Sequence, residues 1–195
     1  MFGQSILETT CLREHVLATL AAICQTAAKF GLQLETNMTT SSIALSVSYN
    51  QVAVFASNLE TPFNDWQDQH VAQGFSWREN SVSFRTLNEF GSCSIEIGLS
   101  ECHPRSDDVI RAIRVPFSVP ADGKIEIGSI GDSVPLSIAP GAYALLFQIL
   151  EVRPDGTEVI RLSFSKREPL DFAIIKADKL ITTSGPLCTT SQAAI

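Results

Sequence analysis

From Ile43 onward the apolar residues of this chain recur at every second position, and that change of period constrains the fold more than any other feature. Ile43, Leu45, Val47 and Tyr49 alternate with Ala44, Ser46 and Ser48, the pattern of a strand with one buried face. Residues 52–56 are apolar throughout and read as a more deeply buried strand. Further runs follow at 82–87, 93–99, 113–119, 125–127, 134–138, 143–152, 159–164 and 172–177. Turn chemistry separates several of them. Ala121-Asp122-Gly123, Pro140-Gly141 and Pro154-Asp155-Gly156 put proline's fixed φ and glycine's positive φ where the chain has to reverse. The pattern predicts a mainly β chain, an antiparallel β-sandwich of roughly nine strands.

Two helices are expected beside the strands. Leu12, Val16, Leu20, Ile23, Ala27 and Phe30 recur at steps of three or four over residues 9–30. That spacing stacks them on one face of an amphipathic helix, capped by Thr9 or Thr10 and stopped at Gly31. Such a stripe needs cover from a sheet or an open sheet edge. A short inserted helix is expected at 65–73, capped by Asn64 or Asp65, with Asp68 in its first turn and Gly74 at its end. The predicted organisation is a helix and linker at 1–42, the sandwich at 43–180 and a loose tail at 181–195, rich in Thr, Ser and Ala.

Charge is distributed unevenly. Residues 50–109 hold nine acids against three arginines, so most of the net −7 lies in about one third of the chain. An acidic chain is a poor phosphate binder, which argues against nucleic acid and for a basic protein partner. Solubility is the other use of such charge. No apolar run approaches the ~20 residues that span a membrane. Residues 16–24 resemble the apolar core of a signal peptide, but Glu8 and Glu14 stand where basic residues belong. Cys11, Cys24, Cys93, Cys102 and Cys188 are odd in number and irregular in spacing. They read as free thiols of a cytoplasmic protein rather than as a disulfide framework.

The motifs of catalysis are missing. No glycine-rich loop follows a strand and opens a helix, and no C-x-x-C occurs. Cys93, Cys102 and His103 have poor spacing for zinc, and Cys102 and His103, as neighbours in a strand, would face opposite sides. No cofactor and no metal are expected, and no enzymatic activity. Asp65-Trp66-Asp68 invites a sharper reading, a tryptophan flanked by acids as an interface anchor with a charged rim. Trp66 can equally pin its helix to the sandwich while the acids serve the helix N-terminus, and tryptophan is usually well buried. Phe75 and Trp77 read as core.

Several segments occur here in a telling order: Ser48-Tyr49-Asn50-Gln51, Trp66-Gln67-Asp68 with Gly74-Phe75, Ser81-Val82-Ser83-Phe84, Val115-Pro116-Phe117, and 136–143 with Pro140-Gly141. In order and spacing the chain resembles the bacterial competence protein J family over roughly residues 43–152. The resemblance implies a small cytoplasmic protein that binds and blocks a DNA-degrading nuclease during DNA uptake and natural transformation. It carries over no site residue.

On exposure and position, Asp65, Trp66, Asp68, Glu79 and Glu89 are the candidate partner-binding residues, since they fall at a helix start or in turns that reach solvent. A module binding a small ligand or sugar is the alternative, and a deep aromatic pocket around Tyr49, Trp66 and Trp77 would favour it. An enzyme with a divergent carboxylate site is a third reading, marked by two close carboxylates with raised pKa in a cleft.

Overall fold

The computed structural model describes residues 41–99, 109–166 and 168–195, within a compact unit spanning Met38–Ile195. The expected helix at 9–30, and Cys102 and His103, lie outside the described residues. In chain order the strands are β1 (Ser41–Val47), β2 (Gln51–Ala56), β3 (Phe75–Arg78), β4 (Ser81–Arg85), β5 (Gly91–Gly98) and β6 (Arg111–Val119). They continue with β7 (Lys124–Ser129), β8 (Asp132–Ser137), β9 (Gly141–Val152), β10 (Glu158–Ser165) and β11 (Ala173–Lys176). One helix, α1 (Asp68–Gln73), interrupts them.

The strands form two sheets, ordered β1-β5-β10-β9-β6-β11 and β3-β4-β2-β7-β8. Alternation decides which side chains meet between them. Val52, Val54, Phe84, Ile125 and Ile127 from the five-stranded sheet join Ile95, Ile113, Val115, Leu145, Phe147 and Ile160 from the six-stranded one in a single buried cluster. Phe84 stacks on Phe147 across the gap, with centroids 4.5 Å apart and planes 5° from parallel. Each such side chain contributes about 1.5–3 kcal/mol by leaving water. Phe75 is wholly buried and Trp77 packs against the cluster, donating its Nε1–H to the Pro116 carbonyl at 2.7 Å.

Four expectations are corrected. The described residues hold eleven strands, where roughly nine were expected. The four-residue β3 contributes to the difference because it follows a helix too closely for a period of two to show. The pairing is not wholly antiparallel, since β10 runs parallel to β5. The direction of β10 is set by its hairpin with β9, and the free edge of β5 then accepts it as it comes. The helix begins at Asp68, after Gln67, and not at residue 65. Asn64 does not cap it: it lies three residues before Gln67, its Oδ1 accepts from Arg78 Nε at 2.7 Å, and its Nδ2 donates to the carbonyls of Ser76 (2.8 Å) and Ser81 (3.3 Å). Instead the Gln67 N–H donates to His70 Nδ1 at 3.2 Å, and Gly74 closes the helix at φ 82°.

The fourth correction concerns the tail, which is docked rather than loose. Gln73 is fully buried and offers its side-chain amide as a strand would offer backbone. Its Nε2 donates to the Cys188 carbonyl and its Oε1 accepts the Cys188 N–H, both at 2.8 Å. His70 Nε2 lies 3.1 Å from the Thr190 carbonyl, the Ala194 N–H donates to the Phe63 carbonyl at 3.0 Å, and Asn64 bridges Ala193. Polar composition concealed this segment because hydrogen bonds to its backbone hold much of it, with Ile181 and Leu187 adding apolar contact to the core. Ile181 packs so closely on α1 that a Cβ at Gly74 would lie 2.3 Å from its Cδ1. Among the described residues no helix is long and apolar enough to cross a membrane.

Candidate functional site: an acid-bordered aromatic groove

The chain passes from one sheet to the other through a very tight turn. Ser48 and Gln51 bridge, and the two residues between them, Tyr49 and Asn50, both have φ 56°. Successive positive φ values are the mark of a type I′ turn, where asparagine is comfortable and tyrosine is not. The neighbouring loop holds the turn in place. The Asn50 N–H donates to the Glu89 carbonyl at 3.0 Å, and the Thr86 N–H donates to the Asn50 carbonyl at 2.9 Å. Tyr49 thereby stands in solvent, 64% exposed, in edge-to-face contact with Phe90 at 5.8 Å.

Beside this pair runs a groove of about 410 Å³ lined by Tyr49, Gln51, Trp66, Val71, Arg85 and Ile130, with Asp65, Asn50, Asn64 and Ala194 completing it. Trp66 is half-buried and donates Nε1–H to Gln51 Oε1 at 3.2 Å, which fixes its ring against the end of β2. Val71 is presented by α1 and Ile130 by the β7–β8 turn. Among the described residues Arg85 is the one cation lining the groove, and its Nη1 faces the carbonyls of Leu180 (3.3 Å) and Val71 (3.4 Å).

Two of the five candidate residues, Asp65 and Trp66, line this groove. Asp68 opens the helix that carries Val71, and Glu89, whose own carbonyl accepts the Asn50 N–H, precedes Phe90 in the chain. Asp65, Asp68 and Glu89 are exposed. Glu79 is also exposed but belongs to the β3–β4 turn. It lies beyond Ser81, at the opposite end of β4 from Arg85, about 13 Å of strand away. Sequence reasoning placed Tyr49 in a hypothetical ligand pocket with Trp66 and Trp77 and did not single out Phe90, Val71 or Ile130. The structure separates Trp77 from the groove by turning it into the core. The signal that could have found the turn was the pair Tyr49-Asn50 between two apolar runs, since asparagine favours positive φ.

A buried polar cluster supports the loop that carries Glu89 and Phe90. Glu158, 2% exposed, accepts the N–H of Asn88 at 2.6 Å and of Leu87 at 3.1 Å. Burial pushes its carboxyl above the ordinary value, while those two donors and Arg111 pull it back. Arg111, fully buried, donates Nη2–H to Asp178 at 2.8 Å and Nη1–H to the Arg85 carbonyl. Burial lowers its pKa and Asp178 opposes that shift. Cys93 is a free, buried thiol, pushed up to about 12 by burial and by Glu158. Glu158 faces backbone donors under the loop and does not line the groove, so it lacks the cleft setting of a general acid. Among the described residues no group of three His, Cys, Asp or Glu side chains could hold a metal.

The fold and the groove define a β-sandwich protein with a partly aromatic surface groove that Asp65 helps to line. The chain belongs to the Competence protein J (ComJ) family, whose model matches residues 44–165. Its fold is similar to that of ComJ from Bacillus subtilis, an inhibitor of the DNA-degrading activity of NucA, with TM-score 0.57 and 21% identity over 64% of this chain and 94% of that one. The product of crocagin biosynthetic gene J is also similar, at TM-score 0.43 and 16% identity over 66% of this chain and 97% of that one. No curated protein matches the chain.

Proposed function

We propose that this protein is a non-enzymatic inhibitor of a DNA-degrading nuclease, acting in the cytoplasm in connection with DNA uptake. The observation that carries this reading is the family match across the sandwich, residues 44–165. The physics agrees in sign. A nuclease must offer DNA a cationic surface, and a face carrying Asp65, Asp68 and Glu89 is drawn to one by long-range attraction. Electrostatic complementarity of this kind speeds encounter and fixes orientation, while burial of a central aromatic such as Trp66 supplies affinity.

The alternative, a module for a small ligand or sugar, draws on the groove's volume of about 410 Å³, within the usual range of ligand pockets. It loses the third aromatic wall that Trp77 would have supplied, and Tyr49 in the groove's lining stands exposed with exposed Phe90 against it. The test is a DNA-degradation assay with the NucA-type nuclease of the same genome and, as a second probe, NucA of Bacillus subtilis. Dose-dependent inhibition by the purified chain is expected with at least one of them, and no inhibition of either sinks the proposal.

A further inference from the structure

We propose that the Tyr49–Phe90 pair is the anchor of this protein's interface, the point at which a basic face of the DNA-degrading partner is gripped. The inference rests on the inhibitor reading above and adds to it the residues that supply affinity.

Four exposed apolar side chains converge here from separate parts of the chain. Tyr49 (64% exposed) and Phe90 (58%) touch, and Tyr49 lines the same groove as Ile130 (41%) and Val71 (37%). Scattered exposed apolar residues need no explanation, but a contiguous patch rimmed by charge marks a contact surface. Binding hot spots are enriched in aromatic residues, ringed by contacts that add little energy themselves but exclude water.

The backbone supplies a second, independent observation. A tyrosine at φ 56° is strained, and strain of this kind persists only where the surroundings impose it. Here they do. Asn50 is clamped to Glu89 and Thr86, and the loop bearing those two residues is hydrogen-bonded to buried Glu158. The fold thus holds an unfavourable conformation whose visible result is a large aromatic ring in water.

The chemistry of the surface selects the occupant. Asp65 lines the same groove as Tyr49, exposed Glu89 precedes Phe90 in the chain, and Arg85, the one cation lining the groove among the described residues, faces the Val71 and Leu180 carbonyls. Rings beside carboxylates suit an arginine or lysine, whose aliphatic stem packs on the aromatic faces while its charge meets the acids. Such side chains crowd a surface that binds DNA.

The test compares Tyr49→Asn and Phe90→Ser with wild type, in the full chain, against the same two nucleases. Asparagine tolerates the left-handed turn, so Tyr49→Asn is expected to melt at or above the wild-type temperature. Its dissociation constant for the inhibited nuclease is expected to rise at least tenfold, and likewise for Phe90→Ser. A variant more stable than wild type yet weaker in binding separates a contact role from a structural one. If wild type inhibits and both folded variants bind as tightly as it does, the anchor is overturned while the inhibitor reading stands. If wild type neither binds nor inhibits either nuclease, both fall.

Discussion

Glu158 Oε1 accepts the backbone N–H of Asn88 at 2.6 Å, a contact between residues seventy apart in sequence. It joins β10 of the six-stranded sheet to the loop that leaves β4 of the five-stranded one. That loop carries Glu89 and Phe90, so the placement of the groove's aromatic mouth depends on a carboxylate that the groove does not contain. Replacing Glu158 with Ala leaves two buried donors, Leu87 and Asn88, without their partner. The expected cost is about 1–3 kcal/mol or more, read by urea denaturation. Hydrogen exchange should quicken at those two amides before it does in the core, and protection equal to wild type would refute the bracing role.

The same carboxylate gives a pH dependence of definite sign. Burial, the leading cause, raises its folded-state pKa above the ordinary 4.5, so the folded chain holds the proton more tightly than the unfolded chain. Stability from this group is therefore greatest at low pH. It falls as pH rises from about 4.5 through the raised folded value, and is flat beyond it. The backbone N–H groups of Leu87 and Asn88 and the guanidinium of Arg111 limit the shift, while Asp178 adds to it. Relative to Glu158→Gln, which does not titrate, wild type should lose stability as pH rises inside that window, by at most about 1.4 kcal/mol per pH unit. A difference that grows in favour of wild type with rising pH would show that the hydrogen bonds outweigh burial.

Charge reversal tests the border of the groove. Asp65 and Asp68 are exposed, so Asp65→Lys with Asp68→Lys should leave the melting temperature nearly unchanged. Association with an inhibited nuclease should slow by about an order of magnitude at low salt and by much less at high salt. Glu79→Lys, on a turn at the far end of β4, should have little effect. Stopped-flow association at two ionic strengths compares both variants with wild type. An equal effect of Glu79 would move the contact surface away from the groove.

Gln73 and Cys188 report on the docked tail. Gln73→Ala removes both side-chain bonds to Cys188 and the one to the Phe75 carbonyl, and should cost about 1–3 kcal/mol. In wild type, Cys188 is partly exposed and Cys93 is buried with a thiol pKa of about 12. Alkylation near neutral pH should therefore modify Cys188 and spare Cys93. Mass mapping should show Cys188 labelled faster still in Gln73→Ala. Equal rates in the two proteins would mean that the clamp does not hold the tail.

The sequence by itself determined the class of fold. Alternation at Ile43, Leu45 and Val47, or at Ile113, Val115 and Phe117, is a local property, because the side of a strand on which a residue falls depends only on its parity. The turns at Gly123 and Gly156 were legible for the same reason, their positive φ being a matter of single residues. Which sheet edge receives β10, and in which direction, was not local, since no spacing in sequence encodes a pairing with β5 some sixty residues earlier. Nor was the clamp of Gln73 on Cys188, where a buried amide replaces the apolar stripe that would have revealed a docked segment. The candidate site divides along the same line. Asp65, Asp68 and Glu89 could be chosen for exposure and charge and Trp66 as an aromatic anchor, yet only the tertiary structure set Glu79 at the far end of β4 and brought Tyr49, Val71 and Ile130 into one groove with Asp65 and Trp66. A surface of this kind is assembled from turns whose neighbours are set by sheet packing, and that packing exists only once both sheets have closed on the shared core.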